Sequence, residues 1–67
     1  MNQKTIATFD NESDSFILCK KAYHSDYILY WTITRIDKAP RHIKAKNDTE
    51  ALEAFNTFID AIYAEAR

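Results

Sequence analysis

Hydrophobic positions change their spacing once along the chain, close to Asn47. Before that point, apolar residues alternate with polar ones in short runs, which is the two-residue period of a β-strand. After it, apolar residues recur at intervals of three and four, which is the period of one face of an α-helix: Leu52, Phe55, Ile59, Ile62 and Ala66. The pattern predicts several strands followed by one C-terminal helix.

Three strands are predicted, or four if a short lysine-rich strand follows them, and each is bounded by turn-forming residues. The separators are the polar cluster DNESDS, the turn HSD and the segment DKAPR. Proline cannot donate to a strand ladder, so Pro40 is predicted to end the third strand, and the lysine-rich fourth strand suits a sheet edge. The predicted strands cover 4–9, 15–23, 27–36 and 42–46.

The helix is predicted over 48–66, with Asn47 or Asp48 as its N-cap. Glu50 lies three residues after Asn47, as in a capping box. The predicted fold class is α+β: an antiparallel meander of three or four strands with one C-terminal helix packed on one face. Residues 1–67 form a single domain in this prediction.

The third strand, YILYWTITR, carries bulky side chains on both faces, and one helix can cover only one of them. A hairpin at HSDY would pair residues whose numbers sum to 49, so that Leu18 meets Trp31 and Cys19 meets Tyr30. The same register pairs Phe16 with Ile33, Lys20 with Leu29, Ile17 with Thr32, Lys21 with Ile28 and Tyr23 with Asp26. The core predicted beneath the helix is Phe9, Phe16, Leu18, Leu29, Trp31, Ile33, Leu52, Phe55, Ile59 and Ile62.

The other sheet face has no element left to cover it. An antiparallel sheet can expose one face to water, and an ordinary solvated face is one interpretation. A contiguous, partly apolar face with tyrosines is also typical of an interaction site. The residues predicted to contact a partner there are Ile17, Tyr23, Ile28, Tyr30 and Thr32.

Charge is unevenly distributed although the formal net charge is only −1. A basic segment could seat phosphates, which makes nucleic-acid binding an alternative function, although the overall balance lacks a positive excess. The helix could instead present carboxylates to a basic groove of a partner. The basic residues are Arg35, Lys38, Arg41, Lys44 and Lys46, and the acidic helix residues are Glu50, Glu53, Asp60 and Glu65.

Catalytic and metal-binding patterns are weak, and the sequence predicts neither an enzyme nor a metal or cofactor site. Glycine is absent, so phosphate-binding loops and nucleophile elbows cannot form in their usual way. Cys19 lies within an apolar run, and neither His24 nor His42 has metal-ligand spacing to it. The alternating acids Asp10, Glu12 and Asp14 resemble the start of a calcium loop. The loop's required glycine and final glutamate are replaced by Ser15 and Lys21.

Size and composition set the cellular expectations. A domain of 67 residues with one cysteine has marginal stability, which favours a possible homodimer. The N-terminal segment lacks a secretory hydrophobic region, and no apolar run is long enough for a membrane span. A cytoplasmic protein without membrane contact is therefore expected.

The sequence favours a small non-enzymatic module that binds another protein. In size and architecture alone, the predicted chain is similar to many very small proteins of phages and mobile elements, including inhibitors of host defence nucleases. That likeness implies an inhibitor that occupies a site on a larger host protein. The alternatives are a nucleic-acid-binding protein that uses the basic segment 35–46 and a homodimeric structural or accessory protein.

Overall fold

The computed structural model describes residues 3–21 and 26–65; Tyr23, His24 and Ala66, named above, lie outside them. It is an antiparallel sheet with one helix on one face, which confirms the predicted α+β meander. Strands β1, β2 and β3 follow one another in the sheet, and β4 and β5 both pair with the outer side of β3. The elements are β1 (Gln3–Asp10), β2 (Ser15–Lys21), β3 (Asp26–Ile33), β4 (Ile36–Asp37), β5 (Arg41–Lys44) and α1 (Asp48–Glu65).

Strands β4 and β5 are two parts of one edge strand, interrupted by a bulge. Thr32 pairs with Asp37, and Leu29 pairs with Arg41. A step of three residues along β3 therefore corresponds to a step of four residues along the edge strand. The extra residue falls beside Pro40, which has no N–H to donate. The predicted short fourth strand over 42–46 is present as β5, which begins one residue earlier and ends at Lys44, whereas β4 was not predicted as a separate strand.

The prediction of one continuous third strand over 27–36 is wrong, because the chain turns after Ile33. Thr34 and Arg35 have φ angles of 54° and 63°, the left-handed values that a two-residue hairpin turn of the primed type requires. Such turns normally use Asn-Gly. Because Thr34 and Arg35 occupy the two turn positions here, the sequence did not predict the turn. The Thr34 N–H donates to Asp14 Oδ1 at 3.0 Å, and the Arg35 N–H donates to the carbonyl of Ser13 at 2.9 Å.

The predicted register between the second and third strands is also wrong, by two residues. The numbers of paired residues sum to 47 instead of the predicted 49, and most of the predicted turn HSD lies outside the described residues. Because side chains alternate with a period of two, a shift of two residues leaves each one on its predicted face. The observed pairs are Ser15–Thr32, Phe16–Trp31, Ile17–Tyr30, Leu18–Leu29, Cys19–Ile28 and Lys20–Tyr27.

The core lies between α1 and the central strands, as predicted. Trp31 meets the ring of Phe58 edge to face, with centroids 5.0 Å apart, so β3 does turn this row towards the helix. The prediction that Phe9 and Leu52 belong to the core is wrong, because each side chain keeps 39% of its surface exposed. The buried cluster comprises Phe16, Leu18, Tyr27, Leu29, Ala45, Ala51, Phe55 and Ile59, with Trp31, Ile33 and Ile62 packed against it.

The start of α1 is fixed by a cap that the sequence anticipated. Asn47 Oδ1 accepts a hydrogen bond from the Glu50 N–H at 2.8 Å, so Asn47 is the N-cap. Glu50 Oε1 accepts from the Lys46 N–H at 3.3 Å, one residue before the position that a capping box uses. Asp48 has a different role, since its Oδ1 accepts the hydroxyl proton of buried Tyr27 at 2.6 Å.

Candidate interaction surface

The side chains that point away from α1 form one continuous surface, which we call the open face. Strand alternation and the observed register define it, because the alternate residues of each strand enter the core. No element among residues 3–21 and 26–65 packs on it. Its members are Gln3, Thr5, Thr8 and Asp10 of β1, Ser15, Ile17, Cys19 and Lys21 of β2, Asp26, Ile28, Tyr30 and Thr32 of β3, and Asp37, His42 and Lys44 of the edge strand.

Tyr30 lies across the middle of the open face. Its hydroxyl oxygen accepts a hydrogen bond from Gln3 Nε2 at 3.0 Å. Gln3 belongs to β1 and Tyr30 to β3, so the tyrosine side chain must cross β2 in the region of Cys19. Cys19 and Ile28 retain only 8% and 6% of their surface, although no helix or strand among residues 3–21 and 26–65 packs on this face.

The exposed centre of the open face is therefore narrower than the sequence predicted. Ile28 is on the predicted face, but its low exposure gives it little contact area in the monomer. Tyr30 is 37% exposed and pairs with half-buried Ile17 on the neighbouring strand. Thr32 is half-buried and donates its hydroxyl proton to Asp37 Oδ1 at 2.9 Å. Of the four apolar side chains on the open face, only Tyr30 and Ile17 are therefore not buried.

The two ends of the open face differ in net charge, because one has two lysines and one aspartate and the other has two aspartates. Lys21 and Lys44 lie at the end where β1 begins, in one row with Gln3 and Asp26. At the other end Asp10 and Asp37 flank a hydroxyl-bearing pair, Ser15 and Thr32. Among residues 3–21 and 26–65 the one ion pair joins Lys20 to Asp48 at 4.0 Å on the helix side, so the lysines and aspartates of the open face form no ion pair within this part of the chain.

The basic residues predicted for a nucleic-acid site are spread over several parts of the surface. Arg35 lies in the turn after β3, Lys44 on the open face, and Lys46 just before α1. The Arg41 guanidinium lies on the helix side, 5.2 Å from the ring centroid of Phe58. Lys38 is exposed, and its backbone N–H donates to the Trp31 carbonyl.

The acidic residues predicted on the helix are all exposed, but they do not share one role. The Glu50 side chain is engaged in the helix cap. Glu53 and Asp60 are seven residues apart and so lie on the same side of the helix, whereas Glu65 points elsewhere near its end. Two carboxylates, rather than four, form a common helical surface.

A shallow groove that the sequence did not reveal runs between β5 and one flank of α1. Its volume is about 480 Å³. The lining is largely apolar and includes the ring of Phe58 beneath the guanidinium of Arg41. The helix contributes the small residues Ala54 and Ala61, which leave this flank open.

The cluster DNESD folds as a turn in which one carboxylate has structural partners. Asp14 Oδ1 accepts from the Thr34 N–H and Oδ2 accepts from the Tyr63 hydroxyl at 2.7 Å. Both bonds lower the pKa of Asp14, and the bond from the Thr34 backbone N–H has the larger effect. The bond to Asp14 raises the pKa of Tyr63. Within the described residues, no group of three or more metal-ligating side chains comes together.

No helix in the described part of the chain has the length and apolar character needed to cross a bilayer. No protein-family model matches the chain, and comparisons with curated proteins and with solved structures find no significant match.

Proposed function

We propose that this chain is a small non-enzymatic protein-binding module whose contact surface is the open face. The observation that carries the proposal is the one-sided layering: α1 packs on one face of the sheet, and Tyr30 and Ile17 remain accessible on the other. Tyrosine offers a large, rigid contact area with a polar tip, and it is enriched at interface centres.

The charges around this centre also favour a protein partner. Single-stranded nucleic acid is usually bound by a positively charged groove that combines backbone contacts with aromatic stacking. The open face has an aromatic residue, but Asp10 and Asp37 occupy one of its ends. A partner surface with both charges, arranged in complementary positions, fits this distribution better than a row of phosphates does.

An inhibitor of a larger protein is a specific form of this proposal. Glu53 and Asp60 present two carboxylates on one exposed side of α1, away from the open face. Such a surface would accelerate association with a basic groove by electrostatic steering. Small size and this acidic helix surface support the inhibitor hypothesis.

The test is site-specific photo-crosslinking in an extract of the cell that encodes the chain. A crosslinking amino acid is placed at Thr8 or Ile17 on the open face, or at exposed Glu12 in the turn between β1 and β2 as the control. We expect protein adducts from the two open-face positions and no such adduct from position 12. Absence of any protein adduct from both open-face positions would overturn the proposal.

The nucleic-acid alternative has its own measurement. Binding to single-stranded and double-stranded oligonucleotides is titrated at about 50 mM and about 200 mM salt, because phosphate contacts weaken steeply as salt rises. We expect no measurable binding at the lower salt. Salt-sensitive binding that is lost in the Lys38→Glu/Arg41→Glu variant would favour the alternative.

A further inference from the structure

We infer that the partner of the open face is a second copy of this chain, packed face to face about a twofold axis that runs across the strands. The inference rests on the proposed function, because it names the protein that this surface binds. A closed dimer with twofold symmetry buries the same patch on both copies, so the patch must complement itself. The charges and the central side chains of the open face meet this requirement in one orientation.

The charged ends select the orientation of the axis. A twofold axis parallel to the strands would place each basic end against the basic end of the other copy. An axis across the strands reverses the strand direction and places the basic end over the acidic end. Because β4 and β5 occupy the same position beside β3, Lys44 then faces Asp37 of the second copy, and symmetry repeats the contact. Lys21 on β2 comes next to Asp10 of the second copy's β1 in the same way.

The central side chains fit the same orientation. Ile17 and Tyr30 form one cross-strand pair of the open face, and Cys19 and Ile28 form the next pair. Reversal of the strand direction places the first pair of one copy over the second pair of the other, so Tyr30 faces Ile28 and Ile17 faces Cys19 of the second copy. The accessible apolar centre of one copy therefore covers the centre of the other. The product is a sandwich of two sheets, which pack about 10 Å apart with strands inclined by about 30°.

The size of the open face predicts a weak dimer. Four strands at about 4.8 Å spacing and eight residues at about 3.3 Å cover about 19 by 26 Å. The two copies together would bury about 1,000 Å², which is the lower limit for a specific interface. We therefore expect a micromolar, salt-sensitive association, in which both α1 helices and their acidic sides face outward.

Sedimentation velocity on the full chain, from about 5 μM to about 500 μM, tests the association. We expect the average mass to rise towards that of a dimer, and to rise less at high salt. The variant Lys21→Glu/Lys44→Glu places acid against acid and should weaken association at least tenfold. Both lysines are exposed, and the fluorescence of Trp31 confirms that the variant is folded.

Crosslinking tests the orientation. In a Cys19→Ala background, the double variant Gln3→Cys/Ser15→Cys, which keeps the charged residues in place, is treated with a bis-maleimide of about 10 Å span, which matches the sheet spacing. We expect a covalent dimer from the double variant and none from either single cysteine variant. A dimer from a single variant alone, or unchanged association of Lys21→Glu/Lys44→Glu, would overturn the inferred arrangement.

The two proposals fail in different ways. A chain that remains monomeric at the highest concentration, while Ile17 still crosslinks to another protein, would refute the self-association and leave the protein-binding function standing. A chain that neither self-associates nor crosslinks to any protein through Thr8 and Ile17 would refute both.

Discussion

Tyr27 is the residue that joins the sheet to the start of the helix. Its ring is 1% exposed beneath α1, and its hydroxyl reaches the Asp48 carboxylate at 2.6 Å. That carboxylate accepts the phenol proton, and this hydrogen bond is the main reason why the pKa of Tyr27 rises to about 12. The folded chain therefore binds this proton more tightly than the unfolded chain does.

Replacement of Tyr27 by Phe should change the alkaline stability profile. The stabilisation from the tyrosine is fully present below its unfolded pKa of about 10 and is lost as pH rises towards about 12. We expect Tyr27→Phe to unfold at lower urea than the wild type at pH 7 and to lose less stability above pH about 10. Tyr30→Phe is the matched control, since its hydroxyl bonds to Gln3 on the surface and to no carboxylate among the described residues. If the free energy of unfolding falls equally steeply with pH in wild type and Tyr27→Phe above pH about 10, Tyr27 is not the group whose ionisation destabilises the fold.

At the scale of single elements, the turn after β3 has a backbone conformation that its own residues disfavour. Thr34 and Arg35 both occupy the left-handed region, where the Cβ atom costs about 1–2 kcal/mol per residue. The hydrogen bonds from their amides to Asp14 and Ser13 hold this conformation in place. The turn is therefore specified by the neighbouring hairpin rather than by its own sequence.

An Asn-Gly pair should relieve the strain. We expect Thr34→Asn/Arg35→Gly to raise the free energy of unfolding by about 1 kcal/mol, since both residues tolerate left-handed angles. Lys38→Gly is the control, because Lys38 does not have a positive φ and glycine there only adds freedom to the unfolded chain. Urea unfolding of the three proteins gives the comparison. A double variant no more stable than wild type would mean that the strain is already absent.

The helix cap makes a separate prediction. Asn47→Ala removes the side-chain acceptor of the Glu50 N–H and should lower the free energy of unfolding by about 1 kcal/mol. Asn47→Asp keeps an acceptor oxygen and should retain most of the stability. Thermal unfolding followed by circular dichroism measures both variants. Equal losses in the two variants would contradict a capping role.

These elements show which features the sequence could predict. The helix and the two faces of β2 and β3 follow from the spacing of apolar residues. The face assignment stays correct despite the register error, because a shift of two residues returns each side chain to the same face. The turn at Thr34 was missed because its partner, Asp14, is 20 residues away and no glycine marks it. The hydrogen bond between Gln3 and Tyr30 was missed for a similar reason, since it joins β1 to β3 across β2 and its partners are 27 residues apart.

At the scale of the whole molecule, Asp14 links three parts of the chain that are distant in sequence. It lies before β2, holds the turn after β3 through Thr34, and reaches the last turns of α1 through Tyr63, which is 49 residues away. Phe9 packs against the ring of Tyr63, so β1 joins the same assembly. The far end of the helix is thus attached to the sheet through one carboxylate.

Acid should loosen this end of the molecule before it unfolds the rest. The pKa of Asp14 is lowered, chiefly by the Thr34 N–H, so its stabilisation is present above the unfolded pKa of about 3.9 and is lost as pH falls through the folded value. We expect Asp14→Ala to speed amide exchange near Tyr63 at pH 7 and to flatten the acid side of the stability profile. Asp10→Asn removes a nearby exposed charge without these bonds and should leave both measurements unchanged. If amides near Tyr63 exchange at wild-type rates in Asp14→Ala, packing of Phe9 and the core holds the helix end without the carboxylate.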